Sequence, residues 1–482
     1  MSAVLFATSE AVPLLKTGGL ADVSGALPQA LRIAGQDVRV LLPGYRDVLQ
    51  ALPQMPVLAH IELPPYPPAR LLAGELPGAV PLLVLDCPPY FDRAGGPYQQ
   101  PNRDDWPDNA VRFGLLSRVA ALLAGEYSPL AWRPDVLHCN DWQTGLGPVY
   151  ASVAGGRHAA SLVTIHNLAY QGIFPADTLP ALGLPWHLFR VDGIEYYGNI
   201  SFLKGGIQFA HRISTVSPTY AREIQREPLG FGMQGLLSWR SQDLTGILNG
   251  IDTEQWNPQT DPHIKARYGP KSLWRKAGNR AALRARFGLE DRPDVPVAGV
   301  ISRFAHQKGL DMLLACSEHA LELPLQLAIL GSGDPALEQG FRALAERHPG
   351  QVGVQVGFDE ALSHLVEAGA DLFVMPSRFE PCGLNQMYSQ RYGTPVVARA
   401  TGGLVDSITD PDRAAPDEVP TGFLFDSDTP EALLEALARA AAAFREQKRW
   451  RAMQQAGMAR DFSWAAAADR YCALYASMAA PP

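Results

Sequence analysis

Short apolar runs rich in β-branched residues alternate with helix-length segments along almost the whole chain, and this alternation leaves few folds open. Runs at 4–7, 38–42, 81–85, 136–139, 161–165 and 213–216 are interleaved with segments of helical period such as 20–34 and 110–124. A second series at 295–301, 325–330, 352–356, 372–375 and 395–398 repeats the pattern. Strands buried on both faces read as continuous apolar runs, and strands separated by helices pair in parallel, so each series predicts a parallel α/β sheet. A chain of 482 residues exceeds what one ordinary core organises, and 47% hydrophobic residues suffice for two. The expected domains are 1–243 and 244–460, joined near Gly246-Ile247-Leu248-Asn249-Gly250-Ile251-Asp252. Residues 461–482 are expected to form a last helix that crosses back to the first domain, after a break near Asp461-Phe462-Ser463-Trp464.

A formal charge of −8 without a Lys/Arg block speaks against nucleic acid or an anionic membrane as partner. The first residues carry no basic leader, and no apolar stretch is long enough to span a bilayer, which predicts a cytoplasmic protein. Five cysteines, scattered and without a Cys-x-x-Cys, predict neither a disulfide framework nor a zinc site. No metal and no other cofactor is expected.

The chemistry-bearing residues cluster after predicted strands. Glu380, in Ser377-Arg378-Phe379-Glu380-Pro381-Cys382-Gly383-Leu384-Asn385, follows the run at 372–375, and Gly383 opens the next helix. Open α/β sheets bind ligands at the carboxyl ends of their strands, and a carboxylate there can hold sugar hydroxyls or face developing positive charge. The same stretch alone is also compatible with a polar loop that caps a helix. Arg303 and Lys308, in Ser302-Arg303-Phe304-Ala305-His306-Gln307-Lys308, form a pair of cations after the run at 295–301. Such a pair neutralises a departing diphosphate without a metal; two surface charges at a helix start is the plainer alternative. In the first half, Asp141-Trp142 follows one strand and His166-Asn167 the next; an acid beside an indole is a common sugar-binding pair. Alone, His166 reads more readily as a structural histidine than as a functional one. Thr17-Gly18-Gly19-Leu20-Ala21-Asp22 is echoed by Thr401-Gly402-Gly403-Leu404-Val405-Asp406, each opening a helix, with Lys16 just before the first. Gly331-Ser332-Gly333-Asp334-Pro335-Ala336 matches the dinucleotide fingerprint, yet Asp334-Pro335 is a poor opening for a pyrophosphate turn and no acidic residue ends the next strand.

Taken in order, Lys16-Thr17-Gly18-Gly19-Leu20-Ala21-Asp22-Val23, Asn140-Asp141-Trp142, Thr164-Ile165-His166-Asn167-Leu168-Ala169-Tyr170-Gln171-Gly172, Ser302-Arg303 with Gln307-Lys308-Gly309, and the Glu380 segment give the chain an end-to-end resemblance to the bacterial glycogen synthases, starch-synthase-like enzymes that use ADP-glucose. The resemblance implies a GT-B fold, two Rossmann-like doubly wound domains separated by a deep cleft, the first on the acceptor side and the second on the nucleotide-sugar side. It implies transfer of glucose from ADP-glucose to the non-reducing end of an α-1,4-glucan, glycogen, with retention. It assigns Glu380, His166 and Asp141 to catalysis, and Lys16, Thr17, Gly18, Gly19, Arg303, Lys308, Cys382, Gly383, Leu384 and Asn385 to the donor. For Cys382, small-residue packing by itself suffices to explain the position. Tyr98 is assigned to the acceptor. The sequence departs from the family pattern at Gln143, at Asn385 where Thr is usual, and at Phe358 where Tyr is usual.

Overall fold

The computed structural model describes residues 1–479, so 480–482 of the expected last helix lie outside the described residues. The chain divides into two compact units, Met1–Gly250 together with the helix from Trp464, and Ile251–Ser463. The first unit continues past the sequence-derived boundary at 243/244 because Leu244–Gly246 pairs in parallel with Arg212–Thr215.

At the centre of the first sheet lies Ala3–Ala7, with Val136–Asn140 on one side and Asp37–Pro43 on the other, all parallel. Residues Val4 to Ala7 are fully buried, as strands covered on both faces must be. The sheet extends outward through Ala160–Ile165, Arg212–Thr215 and Leu244–Gly246 at one edge, and through Val80–Asp86 at the other. There two antiparallel strands, Ala69–Leu76 and Val57–Ile61, make the nine-stranded sheet mixed. Helix Gly19–Ile33 buries Leu20, Val23, Leu27 and Leu31, one stripe at helical spacing. Each fully buried leucine of that stripe contributes about 1.5–3 kcal/mol. The helix Trp464–Ala479 packs against Gly19–Ile33, and the Tyr475 hydroxyl meets His138 Nδ1 at 2.8 Å. A small antiparallel sheet, Ile173–Pro175, Asn199–Ser201 and Glu195–Tyr196, follows the His166 loop.

The second unit holds a six-stranded, wholly parallel sheet. Val297–Phe304 pairs with Gln326–Gly333 and then Val352–Val356 on one side, and with Leu372–Met375, Val396–Arg399 and Gly422–Phe425 on the other. One face packs Leu313, Phe341 and Leu437 with their neighbours, the other Val366, Phe373 and Leu404. The strand order reverses between Val297–Phe304 and Leu372–Met375, and in the first sheet beside Ala3–Ala7. A crevice opens where neighbouring connections leave in opposite directions, so these points are where ligands bind in such sheets.

The dinucleotide-like run is ladder, not phosphate turn. Gly331 and Gly333 lie in a strand paired with Ser302 and Phe304, where a Cβ would collide with the carbonyls of those two residues. Asp334 Oδ1 caps helix Pro335–Arg347 by accepting from the amides of Ala336, 2.8 Å, and Leu337, 3.4 Å.

Candidate functional site

In the second unit the switch point gathers Arg303, Lys308 and Glu380. Glu380 follows Leu372–Met375 and is 6% exposed. Its Oε2 accepts from Lys308 Nζ at 2.6 Å and from Ser377 Oγ at 2.9 Å. Arg378 fixes the loop between them: its guanidinium donates twice to Asp311, both at 2.7 Å, and once to Asp428 at 3.1 Å. Asp311 is held below the usual carboxylate range by those bonds from Arg378. Arg303 is exposed and, among the described residues, has no ion-pair partner, so its charge faces outward from the end of Val297–Phe304.

Gly383 takes φ +72, a conformation side chains rarely adopt, just before helix Asn385–Arg391. Cys382 is buried, as a packing residue is. Asn385 is tied down, its Nδ2 donating to the Ile301 carbonyl at 2.9 Å. The amide thus links the start of that helix to the strand carrying Arg303. Phe358 is 86% exposed just beyond Val352–Val356.

The second Thr-Gly-Gly supports the Glu380 loop from behind. Gly403 N donates to the carbonyls of Glu380, 3.1 Å, and Pro381, 3.2 Å. A Cβ at Gly402 or Gly403 would collide with the carbonyl of Glu380 or Cys382. The first Thr-Gly-Gly differs: nothing lies within 4 Å of a Cβ built on Gly18 or Gly19. Its glycines leave open space, while those at 402 and 403 permit close backbone packing.

In the first unit Asp141 follows Val136–Asn140 at φ 55, ψ −170. A residue other than glycine held there costs about 1–3 kcal/mol. The strain is offset where Asp141 Oδ1 accepts the amides of His166, 2.7 Å, and Asn167, 3.4 Å. Burial raises the Asp141 carboxyl to about 7; these amides oppose the rise and the charge of Glu10 adds to it. His166 Nε2 lies 2.9 Å from Asn140 Oδ1, and Asn140 Nδ2 donates to the Ala7 carbonyl. The imidazole therefore donates through Nε2. Burial lowers its pKa to about 3, which keeps it neutral. His138 is structural, fully buried between Thr164 and Tyr475. The half-buried Trp142 ring packs among Tyr98, Phe113, Phe174 and Phe202.

Around Lys16 the structure adds a residue that sequence reasoning missed. Lys16 Nζ pairs with Asp22 at 2.7 Å. The amides of Thr17 and Gly18 are taken by Glu10 Oε2, at 2.6 and 3.1 Å. Tyr98 donates its hydroxyl to Glu10 Oε1 at 2.5 Å, and Ser9 Oγ lies 2.8 Å from the same phenol. An acid directly after the first strand was the available signal for Glu10. Among the described residues no group of three or more His, Cys, Asp or Glu side chains could hold a metal ion, and no helix is long and apolar enough to cross a membrane.

Two Rossmann-like α/β units in one chain, each with polar side chains gathered at the switch point of its sheet, define the GT-B class of glycosyltransferase. The family model described as starch synthase catalytic domain matches residues 3–239, and that described as glycosyl transferases group 1 matches 283–456. The glycogen synthase of Dechloromonas aromatica is 55% identical over 475 residues, covering 98% of this chain and 97% of its own; that of Nitrosomonas eutropha is 53% identical over 479 residues, covering 98% and 95%. The catalytic domain of starch synthase IV from Arabidopsis thaliana, bound to ADP and acarbose, superposes with a TM-score of 0.87 at 33% identity, over 99% of each chain. Sucrose-phosphate synthase from Thermosynechococcus elongatus, at 19% identity and a TM-score of 0.59 over 99% of each chain, shares the fold alone. The chain belongs to the glycogen synthase family of retaining GT-B glycosyltransferases.

Proposed function

We propose that the chain transfers the glucosyl group of ADP-glucose to the non-reducing end of an α-1,4-glucan. The observation that carries this reading is the second unit's switch point, where a buried carboxylate, Glu380, lies against a cation, Lys308, while Arg303 stands exposed at the end of the neighbouring strand. A nucleotide sugar needs those groups: cations for the diphosphate that leaves, and a carboxylate for the positive charge that grows on the sugar ring. The ADP and acarbose of the starch synthase IV structure support a nucleotide donor and a glucan-like acceptor.

On this reading the second unit is the nucleotide-sugar side. Arg303 and Lys308 take the phosphates together with amides of Gly383, Leu384 and Asn385, and Glu380 faces the anomeric centre. The first unit is the acceptor side. Asp141 and the imidazole of His166 hold glucose hydroxyls, and the His166 carbonyl stabilises the developing oxocarbenium. Lys16 reaches the donor by its side chain. Thr17 and Gly18, whose amides bind Glu10, serve through the shape of the loop. Tyr98 acts toward the acceptor. A charged donor that does not cross bilayers implies a cytoplasmic location.

The test is ADP release from ADP-glucose with glycogen present, in competition with UDP-glucose and with EDTA added. The expected result is a higher kcat/KM for ADP-glucose and transfer that survives chelation. Preference for UDP-glucose, which the exposed Phe358 would explain if it changes base contacts, overturns the donor assignment. Loss of transfer in EDTA with rescue by a divalent ion overturns diphosphate neutralisation by side chains alone.

A further inference from the structure

Glu10 is a buried carboxylate, 4% exposed, with two backbone amides and a phenol as its hydrogen-bond donors. The strand Ala3–Ala7 ends just before it, so it stands at the switch point of the first sheet. The nearby lysine, Lys16, pairs with Asp22 rather than with Glu10. Its two oxygens divide the work. Oε2 closes the loop back onto Thr17 and Gly18, just ahead of helix Gly19–Ile33, where a negative charge is favoured by the orphan amides and the helix dipole. Oε1 accepts a hydrogen bond from the Tyr98 hydroxyl, which approaches from the loop at 95–98 and rests on Phe113 and Trp142.

We infer that Glu10 is a positioning residue that sets the Lys16-to-Gly19 loop and the Tyr98 hydroxyl together, so that the groups assigned to donor and acceptor share one support. The inference rests on the proposed roles of that loop and of Tyr98. A carboxylate can accept on both sides at once, whereas an amide cannot. In Glu10→Gln the side-chain oxygen can still accept from Thr17 and Gly18, but the NH₂ must donate toward Tyr98. The phenol then has to accept, and its proton turns toward Ser9 or solvent. Size and burial are preserved, and only the direction of one hydrogen bond and one charge change.

The experiment measures KM for ADP-glucose, KM for glycogen, kcat and Tm in Glu10→Gln, Tyr98→Phe and the double variant. Glu10→Gln is expected to raise both KM values about tenfold, the scale of a charge-assisted hydrogen bond, while remaining folded. Tyr98→Phe, which leaves the bonds to Thr17 and Gly18 intact, is expected to raise only the glycogen KM. In the double variant the glycogen KM is expected to rise no further than in the worse single variant. Unchanged KM values in Glu10→Gln, or a loss confined to Tm, overturn the inference. An unchanged glycogen KM in Tyr98→Phe with a raised donor KM in Glu10→Gln removes the acceptor role of Tyr98 instead, and with it the shared support. Additive effects in the double variant show two independent roles and also overturn it.

Discussion

Lys308 Nζ lies 2.6 Å from Glu380 Oε2, and the two side chains are 20% and 8% exposed. The cation assigned to the leaving diphosphate is therefore the counter-ion of the carboxylate assigned to the sugar. Glu380 Oε2 also accepts from Ser377 Oγ at 2.9 Å, a bond that does not depend on the lysine.

Glu380→Gln is expected to lower kcat about 10²–10³-fold, the scale of one preorganised electrostatic group, while ADP affinity holds or tightens because Lys308 is released. Lys308→Ala is expected to lower Tm as well as activity, since removing one partner of a buried pair costs up to about 3–5 kcal/mol. The double variant recovers Tm but not turnover. Thermal melts beside steady-state assays decide this, and an unchanged Tm in Lys308→Ala contradicts a stabilising pair.

The two Thr-Gly-Gly segments are expected to respond oppositely to alanine. Gly402→Ala and Gly403→Ala push a methyl into the carbonyls of Glu380 and Cys382. They should lose kcat and stability together. Gly18→Ala meets open space at φ −148, an ordinary extended conformation, and should keep its Tm. Any activity it loses then reports the loop's part in donor binding rather than folding. A normal Tm and kcat in Gly403→Ala would show that the Glu380 loop does not depend on that close approach.

Arg303→Ala is expected to cost about 1.5–3 kcal/mol of ADP binding, the range for a charge-assisted bond to phosphate. Its Tm should not move, because the exposed side chain has no ion-pair partner among the described residues. Calorimetric ADP titration checks the first expectation; full ADP affinity would place the phosphates elsewhere.

Burial holds the Asp141 carboxyl at about 7, raised from 3.8. A carboxyl raised on folding contributes stability that is complete below its unfolded value and is lost as pH rises through its folded value. The stability of the ligand-free protein minus that of Asp141→Asn should therefore fall from about pH 4 to about pH 7 and level off above. Denaturant melts of both across that window test this, and a difference independent of pH would mean that Asp141 titrates as an exposed acid does.

The sequence made the parallel strands legible because long apolar runs between helices have one economical arrangement. The antiparallel strands Val57–Ile61, at the edge, and Ala69–Leu76, next to it, were not legible. Half-exposed edge segments mix polar and apolar residues, as His60 and Arg70 do, and their pairing depends on a neighbour already in place. Gly422–Phe425 was missed because it is an edge strand that follows an irregular stretch rather than a helix.

The residues Asp141, His166, Arg303, Lys308 and Glu380 could be chosen by sequence, since each stands at or beyond the carboxyl end of a strand and each carries chemistry suited to a sugar or a phosphate. What each side chain does was decided by tertiary contacts. Trp142 became part of an aromatic cluster because four rings converge on it, and Asn385 became a tie because the Ile301 carbonyl lies within its reach. Glu10 joins Gly18 to Tyr98 across 88 residues of chain from the tyrosine. Local pattern determines which segments form strands and helices, because period and burial are properties of neighbours in sequence. Hydrogen-bond partners distant in the chain are set only when the sheet brings their loops to one end, and that is where the roles of Glu10, Gly403 and Lys308 were decided.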